Sequence, residues 1–520
     1  MTWSRLAPIV LSILSLVTAV VVLALACIHD GRLVLPLDDA YIHLAVAKHL
    51  VQDGTWGVTA AGFTASVSSI AWPLVIAGIF LATGPSVVVP VVVNLACGVA
   101  VLILADAAMR RFDIGVRARA LALQAVVFCT PLPTIVVAGM EHSLQILVVL
   151  AFVLHFSRML PTAESTARTA IAAGLACAAT VVRYDGVLVV AVGVLALFAL
   201  RRRRAALWVA AGGLLPIALF AIVSTAHGWP PVPNSVLIRL PLMSEPRTLF
   251  RGFVHFAGYR GLRTLAHSPS LAALMIAAAA SMAIRWTGGF HRWDERQWLL
   301  GIFAATVALH VQYARTGWFF RYEGYLVTVG LVALAAACRD VAKLTSTRIV
   351  AVAAAIVLAA LASRAVMAMR TTPAWSAEQF DTRHQAAQFL ARYYDRAVVE
   401  IGDIGEACYS TNIRLVDVNG LGSLDLLPSI LATSENSPAL EDERRAASNA
   451  DLVVSNLAGE APAGWAFVGC WTMPDEVPEC SDSVYQFYAR RGADAARLAA
   501  ALRAFAGTGR PRLSLFISAQ

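Results

Sequence analysis

Charge is what this sequence has least of. Only 14% of its 520 residues are Asp, Glu, Lys or Arg, whereas a soluble domain carries about a quarter. A hydrophobic share of 58% and a mean hydropathy of +0.69 match the deficit. Together these exclude an ordinary soluble protein over most of the length. Cofactor signatures are also missing. Gly402-x-x-Gly405 follows an apolar run but lacks the full glycine fingerprint of a nucleotide-binding loop, so it reads as a strand-to-helix turn. No cofactor is firmly implied. Oxygen ligands would suit magnesium or calcium, but no ligand spacing specifies a divalent cation. No convincing internal repeat is present, which counts against a repeat-built transporter. A lipobox leucine is absent too: Ala24 stands in its place ahead of Cys27, and Leu6–Cys27 is long enough to span. That segment therefore reads as an uncleaved first helix.

What is present is a succession of apolar runs from Leu6 to about Met369, then a globular stretch. The net charge is +8. Its arginines cluster in short loops between apolar runs, which is the positive-inside pattern rather than a nucleic-acid footprint. The loops at Arg110/Arg111/Arg117/Arg119, Arg158/Arg168, Arg201–Arg204, Arg285/Arg292/Arg296 and Arg339/Lys343/Arg348 fall on one side. Ile70–Ala82 is too short to cross comfortably and is expected to be re-entrant or interfacial. With the N-terminus cytoplasmic, the expected architecture is mostly α. It is a polytopic transmembrane helix bundle of about 11–13 spans over residues 1–370, followed by an extracytoplasmic α/β domain over 371–520. Four acidic segments not used to build this topology then share the outer side: Asp38/Asp39, Glu141, Asp185 and Glu323. The loop from His227 to Ser268 is the exception, carrying Arg239 and four further arginines on the acidic side.

The sharpest segment is Pro36-Leu37-Asp38-Asp39-Ala40-Tyr41-Ile42-His43. Asp38 is expected to cap the following helix, and Asp39 and His43 to share one of its faces. Paired carboxylates beside a membrane also suit acid–base work: one takes a proton from a hydroxyl while the other holds an acceptor or sets its neighbour's pKa. Glu141 opens a helix, where a carboxylate is favoured. Arg183/Asp185 and Arg321/Glu323 are opposite-charge pairs at membrane boundaries. His43 and His142 read as supporting or surface residues, and Trp318-Phe319-Phe320 as part of an interfacial aromatic belt.

The segments Leu37-Asp38-Asp39-Ala40-Tyr41-Ile42 and Ala65-Ser66-Val67-Ser68-Ser69-Ile70-Ala71-Trp72-Pro73 resemble the first outer loop of GT-C glycosyltransferases. That superfamily includes protein O-mannosyltransferases, the lipid A aminoarabinose transferase and mycobacterial arabinofuranosyltransferases. Further segments follow in the same order: Gly139-Met140-Glu141, Arg183-Tyr184-Asp185-Gly186, Pro233-Asn234-Ser235 ahead of Arg239, Gly402-Asp403-Ile404-Gly405 and Val416-Asp417-Val418-Asn419-Gly420. Two residues depart from the pattern: Arg239 stands where relatives carry Lys, and Asp185 where Glu is commoner. The resemblance implies an inverting, single-displacement membrane transferase using a polyprenyl-phosphate sugar and acting on an extracytoplasmic glycan, lipid or protein. A pentose such as arabinofuranose fits, but no residue pattern separates it from a hexose. On this reading Asp38 is the first candidate for the base, beside Asp39. Arg183, Arg239 and Arg321 are candidates for stabilising the departing phosphate. His43, Glu141, Tyr184, Asp185, Asn234 and Glu323 join them in binding substrate. A transporter or flippase of a lipid-linked substrate, and a non-catalytic assembly protein, are the competing readings.

Beyond about Thr371 short strands are expected at Ala397–Ile401, Leu415–Val418 and Leu452–Val454. There are 8 cysteines. Five lie in or beside apolar helices. Cys470–Cys480 is the expected disulfide if the outer domain faces an oxidising compartment, leaving Cys408 free.

Overall fold

The computed structural model describes residues 3–238, 261–289, 292–424, 449–455, 464–472, 485–507 and 514–518. Helices dominate. Seven are long and apolar enough to cross a membrane by length and composition: Leu6–Ala26, Val88–Arg111, His142–Met159, Arg203–Ala226, Pro269–Thr287, Gly324–Leu344 and the helix beginning at Thr347. Shorter apolar helices lie at Ala71–Thr83, Thr166–Val182 and Gly186–Ala199. Leu11, Leu14, Leu25, Leu207, Trp208, Leu219, Ile349, Val352 and Ile356 are exposed on their outward faces. Water would not tolerate that much continuous apolar surface, whereas lipid does. The apolar run that follows Arg117 is interrupted. It forms Val116–Cys129 and a separate turn Leu132–Val137, because Pro131 cannot continue the first helix.

The bundle has two chemically distinct ends. At one, arginines close the loops. Asp106 receives Arg110 at 3.1 Å and Arg119 at 2.8 Å, and Arg111 pairs with Glu295. Arg285 pairs with Asp294 at 2.6 Å and also with Asp340. Arg296 donates to the Phe112 carbonyl, and Arg202 to the carbonyls of Met159 and Thr162. These are the loops that sequence places together on the basic side. The acidic segments gather at the other end.

Helix α1 (Trp3–Ala26) leads through a two-residue hairpin to α2 (Asp38–Gln52), and α3 (Ala71–Thr83) packs mainly on α2. At 13 residues, α3 is only about 20 Å long, short of a hydrocarbon core of about 30 Å. Its first turn and the second turn of the helix that follows it lie near one level. Trp72 in its first turn donates its indole N–H to the Gly139 carbonyl at 3.2 Å. Asn94, two turns into α4 (Val88–Arg111), donates to the neighbouring Met140 carbonyl at 2.8 Å. So α3 starts and finishes at the acidic end, which answers the ambiguity of that run.

The helix Thr347–Gln379 does not stop where the apolar composition does. It passes residue 370, turns through a π-helical segment at Phe380–His384 and continues as Gln385–Tyr393. It thereby ties the bundle to a C-terminal α/β region built on a six-stranded mixed sheet. Val398–Ile401 lies between Arg414–Asp417 and Leu452–Ser455, parallel to both. Tyr485–Arg490, Trp465–Thr472 and Ser514–Ile517 extend the sheet antiparallel. The first three are the strands that sequence marks out. The antiparallel three were not expected, since they lack the short β-branched runs that signal the others, and Gly469 and Gln486 interrupt two of them. Cys470 is disulfide-bonded and Cys408 is a free, buried thiol. Cys480 lies outside the described residues.

Candidate functional site

The segment after the first apolar helix folds as α2 because no Gly or Pro interrupts Asp38–Gln52 and its apolar residues are buried on two sides. The bundle takes Tyr41 and Leu44, and the C-terminal domain takes Ile42 and Val46. Asp38 does not cap its own helix, contrary to the expectation from sequence. Its carboxylate reaches across to the C-terminal domain and accepts the backbone N–H of Gly405 at 2.8 Å and of Glu406 at 2.9 Å. Gln379 donates to the same group at 3.4 Å. Gly405 is required for that approach: a Cβ there would stand 2.1 Å from the Asp38 carbonyl oxygen. Lys48, nearly three turns further on, donates to the Tyr409 carbonyl at 2.8 Å and fixes the same contact. Burial, and then the neighbouring Asp403, push the Asp38 carboxyl up to about 7, against Arg383 and the two N–H bonds.

Asp39 faces the bundle and pairs with Arg321, whose side chain is fully buried. His43 lies 3.6 Å from Glu141, and burial lowers its imidazole below the usual range despite Glu141 and Asp39 nearby. Glu141 is fully buried and accepts from Arg183 at 2.5 Å. Its carboxylate makes no bond to the helix it opens, so the ion pair rather than the helix end accounts for its placement. The turn between the helices ending at Val182 and starting at Gly186 carries Arg183, which also donates to Asp185 at 3.1 Å. Gln145 donates to Asp185 at 2.9 Å. The Tyr322 ring lies under both guanidiniums, 5.5 Å from that of Arg183 and 5.1 Å from that of Arg321. Asp39, His43, Glu141, Arg183, Asp185 and Arg321 thus form one connected cluster.

The remaining expected residues sit apart from it. Asn234 donates to the Gly420 carbonyl at 2.7 Å and so anchors a C-terminal loop. Glu323 pairs with Arg364 and accepts the Gly317 N–H at 2.9 Å, which pins the loop between them. Arg239 lies outside the described residues. Trp318 is largely exposed, and with its neighbour Phe319 it packs against Trp375 at ring separations of 5.5 and 5.3 Å.

Two cavities open on this region. A larger one of about 520 Å³ lies between the bundle and the C-terminal domain. Asp38, Asp39, Glu378 and Asp403 give it an acidic lining, with Trp318 and Trp375 beside them. Arg383 also lines it, 3.3 Å from Asp403 and 3.4 Å from Glu378. A second cavity of about 350 Å³ is mostly apolar, lined by Val187, Leu188, Ile217 and Val236 with Arg183, Tyr184 and Asp185. Arg315 lines both. Sequence reasoning did not single out Arg315, Trp375, Gln379, Arg383 or Asp403 as site residues. Asp403 lies inside a quoted motif, but the others stand in apolar or unremarkable surroundings and become visible only when distant segments meet. Among the described residues no three His, Cys, Asp or Glu side chains converge as a metal-ligand set.

Residues 371–488 match a family described as a domain of unknown function, DUF8728. No curated protein matches the chain. Among solved structures, the chain is similar to the oligosaccharyltransferase of Archaeoglobus fulgidus, in a complex with Zn and sulfate. Identity is 13% and the TM-score 0.48, over 92% of this chain and 72% of that one. No residue role is taken from that likeness.

Proposed function

We propose that this chain is a membrane glycosyltransferase of the GT-C kind, moving a sugar from a polyprenyl-phosphate donor to an acceptor hydroxyl on the non-cytoplasmic face. The observation that carries the reading is the adjacency of two unlike cavities. One is apolar with an Arg–Asp pair in its wall, and the other is acidic and holds Asp38 and Asp39. An isoprenoid chain suits the first and a hydroxyl-bearing acceptor the second.

In the reaction Asp38 takes the acceptor's hydroxyl proton as the acceptor oxygen attacks the anomeric carbon. The bond from that carbon to the phosphate oxygen breaks, and polyprenyl phosphate leaves with the electron pair. One displacement inverts the anomeric centre. A carboxyl near pH 7 suits a base at neutral pH. Both Asp38 oxygens already accept N–H bonds, but a carboxylate has about four lone-pair sites, so one remains for the acceptor. Asp39 holds Arg321, while Glu141 and Asp185 hold Arg183. Tyr184 lines the apolar cavity, His43 lies behind it against Glu141, and Asn234 holds the C-terminal loop in place.

The test is transfer by the purified chain in nanodiscs, offered polyprenyl-phosphate pentoses and hexoses, with Asp38→Asn and Asp39→Asn alongside. Loss of general-base help at Asp38 is expected to lower turnover by about 10²–10⁴-fold. Wild-type rates in both folded variants would remove the mechanism.

A further inference from the structure

Of the three arginines that sequence offers for the departing phosphate, the two among the described residues are already committed. Arg183 is shared by Glu141 and Asp185, and Arg321 is held by Asp39. In the acidic cavity Arg383 lies between Asp403 and Glu378. A phosphate approaching any of these would meet carboxylates at the same distance, and the acidic lining would repel it. Arg315 differs. It is exposed and forms no ion pair with the described residues, and it lines both cavities.

An exposed loop arginine is ordinarily a solvated charge. Here the backbone beneath it is fixed. His310 lies 3.0 Å from the Arg315 carbonyl through Nε2 and 3.0 Å from the Tyr325 hydroxyl through Nδ1. Two residues on, the Gly317 N–H is held by Glu323, and Arg364 clamps both Glu323 and the Phe320 carbonyl. The loop is therefore anchored at several points, while its cationic side chain, at the boundary between the cavities, has no ion-pair partner among the described residues. Arginine presents a rigid fork of donors that matches two phosphate oxygens at once.

We infer that Arg315 is the residue that grips the phosphate of the lipid donor where the two cavities meet, and that Glu323 and Arg364 act by positioning its loop. The inference rests on the glycosyltransferase reading. It adds the location of the phosphate: between the apolar cavity that takes the isoprenoid and the acidic cavity that takes the acceptor.

Binding in the absence of transfer tests it. The purified full chain in nanodiscs is titrated calorimetrically with farnesyl phosphate, farnesol and inorganic phosphate. Wild type is expected to prefer farnesyl phosphate to farnesol, and to bind inorganic phosphate more weakly than the lipid. Arg315→Gln should weaken farnesyl phosphate by about 10- to 100-fold, as loss of charge-assisted hydrogen bonds does, and leave farnesol unchanged. Arg315→Lys should fall between them. Because Arg315 is exposed and forms no ion pair among the described residues, its replacement should leave the melting temperature in place. Undiminished farnesyl phosphate binding by Arg315→Gln overturns the inference and leaves the glycosyltransferase reading standing. A wild type that does not distinguish farnesyl phosphate from farnesol overturns both.

Discussion

At the scale of single residues, Asp38 carries the most information. Its type and its place after the first apolar helix are legible in sequence, but its partners are not. Gly405 and Glu406 lie more than 360 positions away, and no local pattern links them to the Asp-Asp pair. The consequence is measurable. A base must be ionised to accept a proton, and Asp38 ionises only as pH rises through about 7. Transfer should therefore climb from pH 5 to about 7.5 and then level off. Asp39→Asn, if active at all, should keep that inflection. A rate independent of pH across this interval would mean that another group takes the proton. The cluster around Glu141 teaches the same lesson in reverse. Each of its members is recognisable alone as a charge at a helix end. Only the fold shows Arg183 bridging Glu141 and Asp185, with His43 lying beside Glu141.

At the scale of elements, two contacts place the site. The first is the close approach of α2 to the helix Ile404–Ser410, which depends on Gly405 having no side chain. Gly405→Ala should force the two apart, and hydrogen exchange at the amides of Gly405 and Glu406 should quicken. Asp38→Ala should produce the same quickening without added bulk. If neither variant changes exchange there, the carboxylate is not what holds those amides. The second contact is the buried pair of Arg364 with Glu323. Removing one member leaves a buried charge without its partner, at a cost of about 3–5 kcal/mol. Arg364→Gln should therefore lower the unfolding midpoint and raise the KM for the lipid donor more than it lowers kcat. The double variant Arg364→Gln/Glu323→Gln should recover part of the stability. Sequence singled out Glu323 and paired it with Arg321, two residues away. The partner found is Arg364, on an apolar helix, where nothing in the local pattern marks it.

At the scale of the whole molecule, the charge pattern was the most legible feature because sidedness is a global property. The arginine-rich loops sort to one end of the bundle and the acidic segments that sequence marked to the other, whatever the details of packing. The weak point was α3, where length alone could not decide between crossing and returning. The hydrogen bonds of Trp72 and Asn94 to adjacent carbonyls bring both of its ends to the acidic end. Single cysteines can check this in a chain whose native cysteines are replaced by alanine. Ala60→Cys lies beyond α2, Pro85→Cys beyond α3 and Ala163→Cys in the loop after Met159, and all three positions are exposed. In intact, oriented membrane vesicles, a membrane-impermeant thiol reagent should label positions 60 and 85 from the same side and position 163 only from the other. Labelling of 60 together with 163, with 85 labelled only from the other side, would make α3 a true crossing. It would also separate Asp38 and Asp39 from Glu141 and Arg183, and the two-cavity site could not then exist on one face of the membrane.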